Sequence, residues 1–116
     1  MQLEDILKQK VKQINEDKAR RQEIKDWTQL AYGGPKVIKV VSFTMPDKAY
    51  HLVFSAEKGV ELREGECPTF NVSYRGSEEN ILKVLNGEKS ASNVWQKKEL
   101  QVWGGLSEAF VFEKLL

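Results

Sequence analysis

At 116 residues the chain has the length of a single domain with one core. Its hydrophobic content of 41%, charged content of 30% and net charge of +1 are ordinary for a soluble globular protein, and argue against non-specific attraction to nucleic acid or to an anionic membrane. No stretch reaches the ~18 apolar residues of a membrane-spanning helix, so stable membrane insertion is not expected. Residues 3–27 have a helical pattern. Leu3, Ile6, Leu7, Val11 and Ile14 recur at spacings of three and four, and the stripe resumes at Ile24 and Trp27. Between them lie Lys18 and Arg21, so the middle of this helix is expected to be solvated. Glu4–Lys8, Glu16–Arg20 and Asp17–Arg21 are acid-before-base pairs four apart. Gly33-Gly34-Pro35 predicts a firm stop.

Lys36–Thr44 is β-branched with apolar residues on both faces, which predicts a strand inside a sheet. Met45–Lys48 is a turn. Ala49–Ala56 alternates, with Tyr50, Leu52 and Phe54 on one side and His51, Val53 and Ser55 on the other. Glu57-Lys58-Gly59 supplies a hairpin turn, and Val60–Arg63 a third strand. After a turn at 64–68, Thr69–Tyr74 alternates again, with Phe70, Val72 and Tyr74 on one face. Ser77 is an N-cap ahead of Glu78 and Glu79; Ile81, Leu82, Val84 and Leu85 form a buried side, and Gly87 stands where a helix stops. Ser90–Gln96 is a short helix, Leu100–Trp103 a fifth strand and Leu106–Leu116 a closing helix. Ala109, Phe110, Val111, Phe112, Leu115 and Leu116 are too apolar to lie exposed, so this helix is expected to cover the sheet.

Chemistry-bearing residues are sparse. His51 is the single histidine and has no second ligand type at useful spacing, so no metal site or histidine-based triad is expected. Cys67 is the single cysteine. It excludes an intramolecular disulfide, fits a reducing cytoplasm and has no candidate base near it in sequence. Glu78-Glu79 is a helix start rather than a catalytic dyad. Gly33-Gly34 and Gly104-Gly105 lack the spacing of a phosphate-binding loop. No catalytic residue and no cofactor follow from these patterns. The start, Met1–Asp5, carries charge where a signal peptide needs an apolar core, and Lys114-Leu115-Leu116 is not a peroxisomal address.

Trp95, Trp103, Phe110 and Phe112 cluster near the end of the chain, together with Val94 and Leu106. Such a cluster is either filled core or the wall of an apolar pocket. The order of elements resembles the sterol carrier protein-2 family. The resemblance runs from Tyr50 to Phe112 and is densest over Glu78–Gly87, Ala91–Trp95 and Leu100–Gly104, where a capped leucine-rich helix ending in glycine, a short helix with an aromatic end and a last strand closed by glycine follow one another. Lys97-Lys98-Glu99 departs from the glycine-lysine step usual in the family, and Trp103 replaces smaller residues.

The resemblance implies an α+β fold in one domain over 1–116, with an N-terminal helix over 1–28 and a five-stranded sheet with covering helices over 36–116. It implies a non-enzymatic carrier that holds a fatty acid, acyl-CoA, phospholipid or similar apolar molecule in a tunnel between the sheet and the C-terminal helices. Val84, Val94, Trp95, Trp103, Leu106 and Phe110 would line that tunnel. The alternative reading is a protein-interaction module, or a homodimer, that uses the charged N-terminal helix. Residues 1–26 carry seven basic and six acidic side chains, so that helix is charged but nearly neutral.

Overall fold

The computed structural model describes residues 2–29 and 36–116. The predicted stop at Gly33-Gly34-Pro35 lies outside them. Helices α1 (Leu3–Glu16) and α2 (Lys18–Trp27) lead into strands β1 (Lys39–Thr44), β2 (Ala49–Ser55), β3 (Gly59–Glu64) and β4 (Val72–Gly76). Helices α3 (Glu78–Leu85) and α4 (Ala91–Gln96), strand β5 (Leu100–Gly104) and helix α5 (Leu106–Leu115) complete the chain. The five strands form one mixed sheet in the order β3-β2-β1-β4-β5. β1 is central, as its two apolar faces predict, and runs parallel to β4; the other pairings are antiparallel.

The predicted single N-terminal helix is two helices. Asp17 sits between them in an extended conformation (φ −99°, ψ 117°), and its carboxylate accepts from the backbone N–H groups of Ala19 and Arg20. That is an N-cap, so Asp17 ends one helix by starting another. Its ion pair is correspondingly with Arg20 at 3.7 Å, while the predicted Glu4–Lys8 pair forms at 3.6 Å. The two arginines of α2 also reach backbone carbonyls, Arg20 that of Leu116 and Arg21 that of Glu57.

Strand register decides which face is buried. Val41 stands opposite Leu52 and Val72, Phe43 opposite Tyr50 and Tyr74, Leu52 opposite Leu62, and Tyr74 opposite Val102. Cross-strand partners share a face, so these residues form one apolar surface. All five helices pack on it: Leu3, Leu7 and Ile14 of α1, Ile24 of α2, Ile81 and Val84 of α3, Val94 of α4 and Phe112 of α5 belong to the same buried cluster. At its centre Phe43, Phe54, Tyr74 and Phe112 are fully buried, with ring centroids 5.7–6.1 Å apart. Phe112 touches the other three.

The opposite face is crossed by the link from β3 to β4. β4 begins at Val72, not at Thr69, because the chain must travel from one edge of the sheet past β2 and β1 before it can pair. Residues 65–71 make that crossing. Glu66 accepts from Thr44 Oγ1 and pairs with Arg75 at 3.4 Å, His51 Nδ1 lies 2.9 Å from the Gly65 carbonyl, and Asn71 Oδ1 accepts from the Val40 N–H. Thr69 and Phe70 therefore continue the alternating pattern in sequence without being strand.

Candidate functional site

Charged groups beneath α5 fix how the helix sits. Glu108, in its first turn, accepts from Trp27 Nε1 at 2.5 Å and from Lys39 Nζ at 3.0 Å. Glu113, in its last turn, accepts from the Ala91 N–H at the start of α4, 2.6 Å away. Burial raises the Glu113 pKa above the ordinary carboxylate value, even though the Ala91 N–H favours the charged form. Tyr74 lies close by. Its hydroxyl is buried and meets no partner at hydrogen-bonding geometry, while burial first and the Glu113 charge second raise its pKa.

Helical spacing then places the rest of α5. Ala109, Phe112 and Leu115 are buried. Leu106 and Phe110 precede Glu113 in a four-and-three spacing, so the three are neighbours on α5, away from its buried side. The expectation that Phe110 is covered is thus corrected: it is 57% exposed, and Leu106 is 45% exposed. α5 is apolar all round, so its sequence does not separate Phe110 from Phe112, and only docking on the sheet does.

Trp95 and Trp103 are each 55% exposed. They approach from different layers. Trp95 is on α4, among the covering helices. Trp103 stands opposite Ser73, which stands opposite Ser42, so it belongs to the sheet face that the helices do not cover. The two meet at the free edge of β5, where a recess of about 520 Å³ is lined by Trp95, Lys98, Leu100, Gln101, Val102 and Trp103. Of the six residues expected to line a ligand site, the structure brings these two into one recess and sets Leu106 and Phe110 together on α5. Val84 and Val94 are fully packed members of the core.

The turn into β5 adds a residue that was not among those expected to line the site. α3 and α4 end alike. At α3 the Glu88 N–H bonds to the Lys83 carbonyl and the Gly87 N–H to the Val84 carbonyl. At α4 the Glu99 N–H bonds to Val94 and the Lys98 N–H to Trp95. Both are Schellman motifs, which place one residue in the left-handed region and favour glycine there. α3 has Gly87 (φ +76°); α4 has Lys98 (φ +58°), the one non-glycine residue with positive φ among those described. A side chain in that conformation costs about 1–2 kcal/mol. Lysine in place of a stop glycine was the signal available in the sequence.

β5 is closed at its other end by Gly104 (φ +105°), where any Cβ would run into the Asn71 carbonyl at the end of the crossing segment.

His51 is buried against the crossing segment, and Cys67 is partly buried, its thiol 3.1 Å from the Thr69 carbonyl. Among the described residues no three His, Cys, Asp or Glu side chains come together as a metal cluster. Among the same residues no helix is long and apolar enough to cross a membrane.

The chain matches no protein-family model and no curated protein sequence. Its fold does match solved structures. A sterol carrier protein 2 from Yarrowia lipolytica is 14% identical with a TM-score of 0.61, over 96% of this chain and 84% of the other. A ubiquinone synthesis protein, UbiJ-SCP2, is 14% identical with a TM-score of 0.62, over 88% and 81%. The inverting sec-alkylsulfatase Pisa1 from Pseudomonas sp. is 10% identical with a TM-score of 0.64, over 83% of this chain; the chain spans only 14% of that enzyme's length. From the strand order to the helices packed on one face, the chain has the fold of the sterol carrier protein-2 domains.

Proposed function

We propose that the protein is a non-enzymatic carrier of a fatty-acyl chain or similar apolar ligand, bound at the β5 edge and the α4–α5 surface. One observation carries this reading. Five large apolar side chains are about half exposed among the described residues, and four of them, Trp95, Trp103, Leu106 and Phe110, fall within sixteen consecutive positions. Scattered exposed hydrophobics are common, but a local concentration marks a place where something apolar binds. The recess of about 520 Å³ has the size of a small-ligand site.

In this reading the tail lies against Trp95, Val102 and Trp103, with Leu106 and Phe110 as a second apolar surface. Val84 and Val94 hold α3 and α4 in place and do not touch the ligand. A chain passing deeper, between α5 and the sheet, would have to displace Phe112 from Phe43, Phe54 and Tyr74. The fold shared with sterol carrier protein 2 supports the carrier reading. The alternative of docking or dimerisation through the N-terminal helices is less well supported. Leu3, Leu7, Ile14 and Ile24 already face the sheet, which leaves those helices little apolar surface for a partner.

Native mass spectrometry of freshly purified protein is expected to reveal a co-purified apolar ligand on a single chain. Titration with palmitate is expected to shift tryptophan emission. Unchanged emission at saturating palmitate, together with no ligand in the mass spectrum, would exclude the carrier reading. A ligand-free dimer would favour the alternative.

A further inference from the structure

We infer that the recess selects an anionic amphiphile, a long apolar chain ending in a carboxylate or phosphate, and that the Lys98 ammonium is its headgroup contact. The inference rests on the carrier reading and adds the charge of the ligand to it.

Three observations meet at Lys98. It occupies the left-handed position of the α4 stop, where the equivalent turn after α3 has Gly87. The turn itself requires no side chain there. A lysine at a helix C-terminus complements the helix dipole, but Lys97 supplies that charge one residue earlier, at φ −85°. A glycine at 98 would keep the turn and remove the strain.

The second observation is where Lys98 stands. It lines the Trp95–Trp103 recess and also the adjoining hollow of about 440 Å³, whose other basic residue is Arg75. Lys98 is thus placed to meet the end of a tail that lies in the first recess.

The third is that its charge is uncommitted. Of the other basic groups nearby, Lys89 holds Glu99 at 2.6 Å, Arg75 holds Glu66 at 3.4 Å, and Lys97 lines neither hollow. Hydrogen bonds from Lys89 keep the Glu99 carboxyl below the usual carboxylate range, so this nearest acid in sequence already has its cation. Lys98 forms no ion pair or side-chain hydrogen bond among the described residues. An unpaired ammonium carried on a left-handed backbone, beside the recess of the two tryptophans, fits an anionic headgroup, since charge-assisted hydrogen bonds are the strong ones.

The test compares palmitate, hexadecyl phosphate and uncharged hexadecanol binding to the wild-type chain and to Lys98→Gly, with Lys97→Gln as control. Lys98→Gly is expected to fold and to melt a few degrees higher, roughly, because the strain is relieved. It should bind both anions about tenfold more weakly and hexadecanol within about twofold of wild type. Lys97→Gln should change neither binding nor melting by a comparable amount. If Lys98→Gly keeps its affinity for the anions, or loses hexadecanol equally, the headgroup role is overturned. A wild-type protein that binds hexadecanol as tightly as palmitate overturns it too and leaves the carrier reading standing. A wild-type protein that binds none of the three removes the carrier reading and the inference together.

Discussion

Asn15 of α1 pairs with the backbone of Val60 as another strand would. Its Nδ2 donates to the Val60 carbonyl and its Oδ1 accepts from the Val60 N–H, both at 2.9 Å. β3 is an edge strand, and an uncovered edge is a template for association. One amide thus docks α1 and satisfies the start of that edge. Gly59 is part of the arrangement, because at φ +78° its missing Cβ leaves the space that Asn15 Oδ1 occupies. Asn15→Ala leaves a part-buried donor and acceptor unpaired and should cost about 1–3 kcal/mol. Chemical denaturation checks this. A change below about 0.5 kcal/mol would mean that water replaces the amide without loss.

A second prediction concerns pH and Glu113. Burial raises its pKa in the folded protein above the ordinary 4.5. Between those two values the native state keeps a proton that the unfolded chain has lost. Stability therefore falls as pH rises through that window. Glu78 and Glu99 act in the opposite direction. Hydrogen bonds from Lys48 and Lys89 lower their pKa values, so their contribution is present above the ordinary value and is lost as pH falls through the folded one. Glu113→Gln keeps an acceptor for the Ala91 N–H and removes the buried charge. Its melting temperature should exceed that of the parent at pH 7, and the difference should shrink as the pH approaches about 4.5. A constant difference across that range would exclude Glu113 as the titrating group.

Glu108 is expected to act as a latch for α5. Its carboxylate holds Trp27 and Lys39, whose side chain is only 12% exposed, and the Lys39 ammonium lies 6.0 Å from the centre of the Trp27 ring. Glu108→Ala strands a largely buried cation and an indole N–H, at a cost of about 2–4 kcal/mol. Glu108→Gln retains an acceptor for Trp27 and should cost less. Equal losses in the two variants would show that the charge, and not the indole bond, sets the stability.

The sheet was legible because its pattern is simple. β2 and β3 alternate, and β1 is apolar on both faces, as a central strand must be. What periodicity missed depends on the third dimension. The charge pairs of residues 3–27 continue through Asp17, so nothing in their spacing reveals that its carboxylate caps a second helix. Thr69 and Phe70 keep the rhythm of a strand while crossing the sheet. Alternation puts Trp103 opposite in sense to Val102, but only the register with Ser73 shows that its face is the one without helices. The candidate site therefore joins residues of α4, the following turn, β5 and α5 that no single periodic segment contains.

The sharpest of these separations is between Phe110 and Phe112, two positions apart on α5. Phe112 is fully buried and its ring lies 6.0–6.1 Å from those of Phe43, Phe54 and Tyr74. Truncating such a ring removes its transfer energy and leaves a cavity, so Phe112→Ala should cost about 3–5 kcal/mol. Phe110 is more than half exposed and has little packing to lose, so Phe110→Ala should cost less than about 1 kcal/mol. Binding should rank them differently. Folded Phe110→Ala should hold palmitate several-fold more weakly, because it loses part of the apolar surface beside Glu113. Denaturant midpoints and palmitate titrations on the same preparations decide it. If Phe110→Ala proves as destabilising as Phe112→Ala, α5 packs differently from the arrangement described. If Phe110→Ala is stable and its palmitate affinity is unchanged, the ligand surface stops at the Trp95–Trp103 recess and α5 lies outside it.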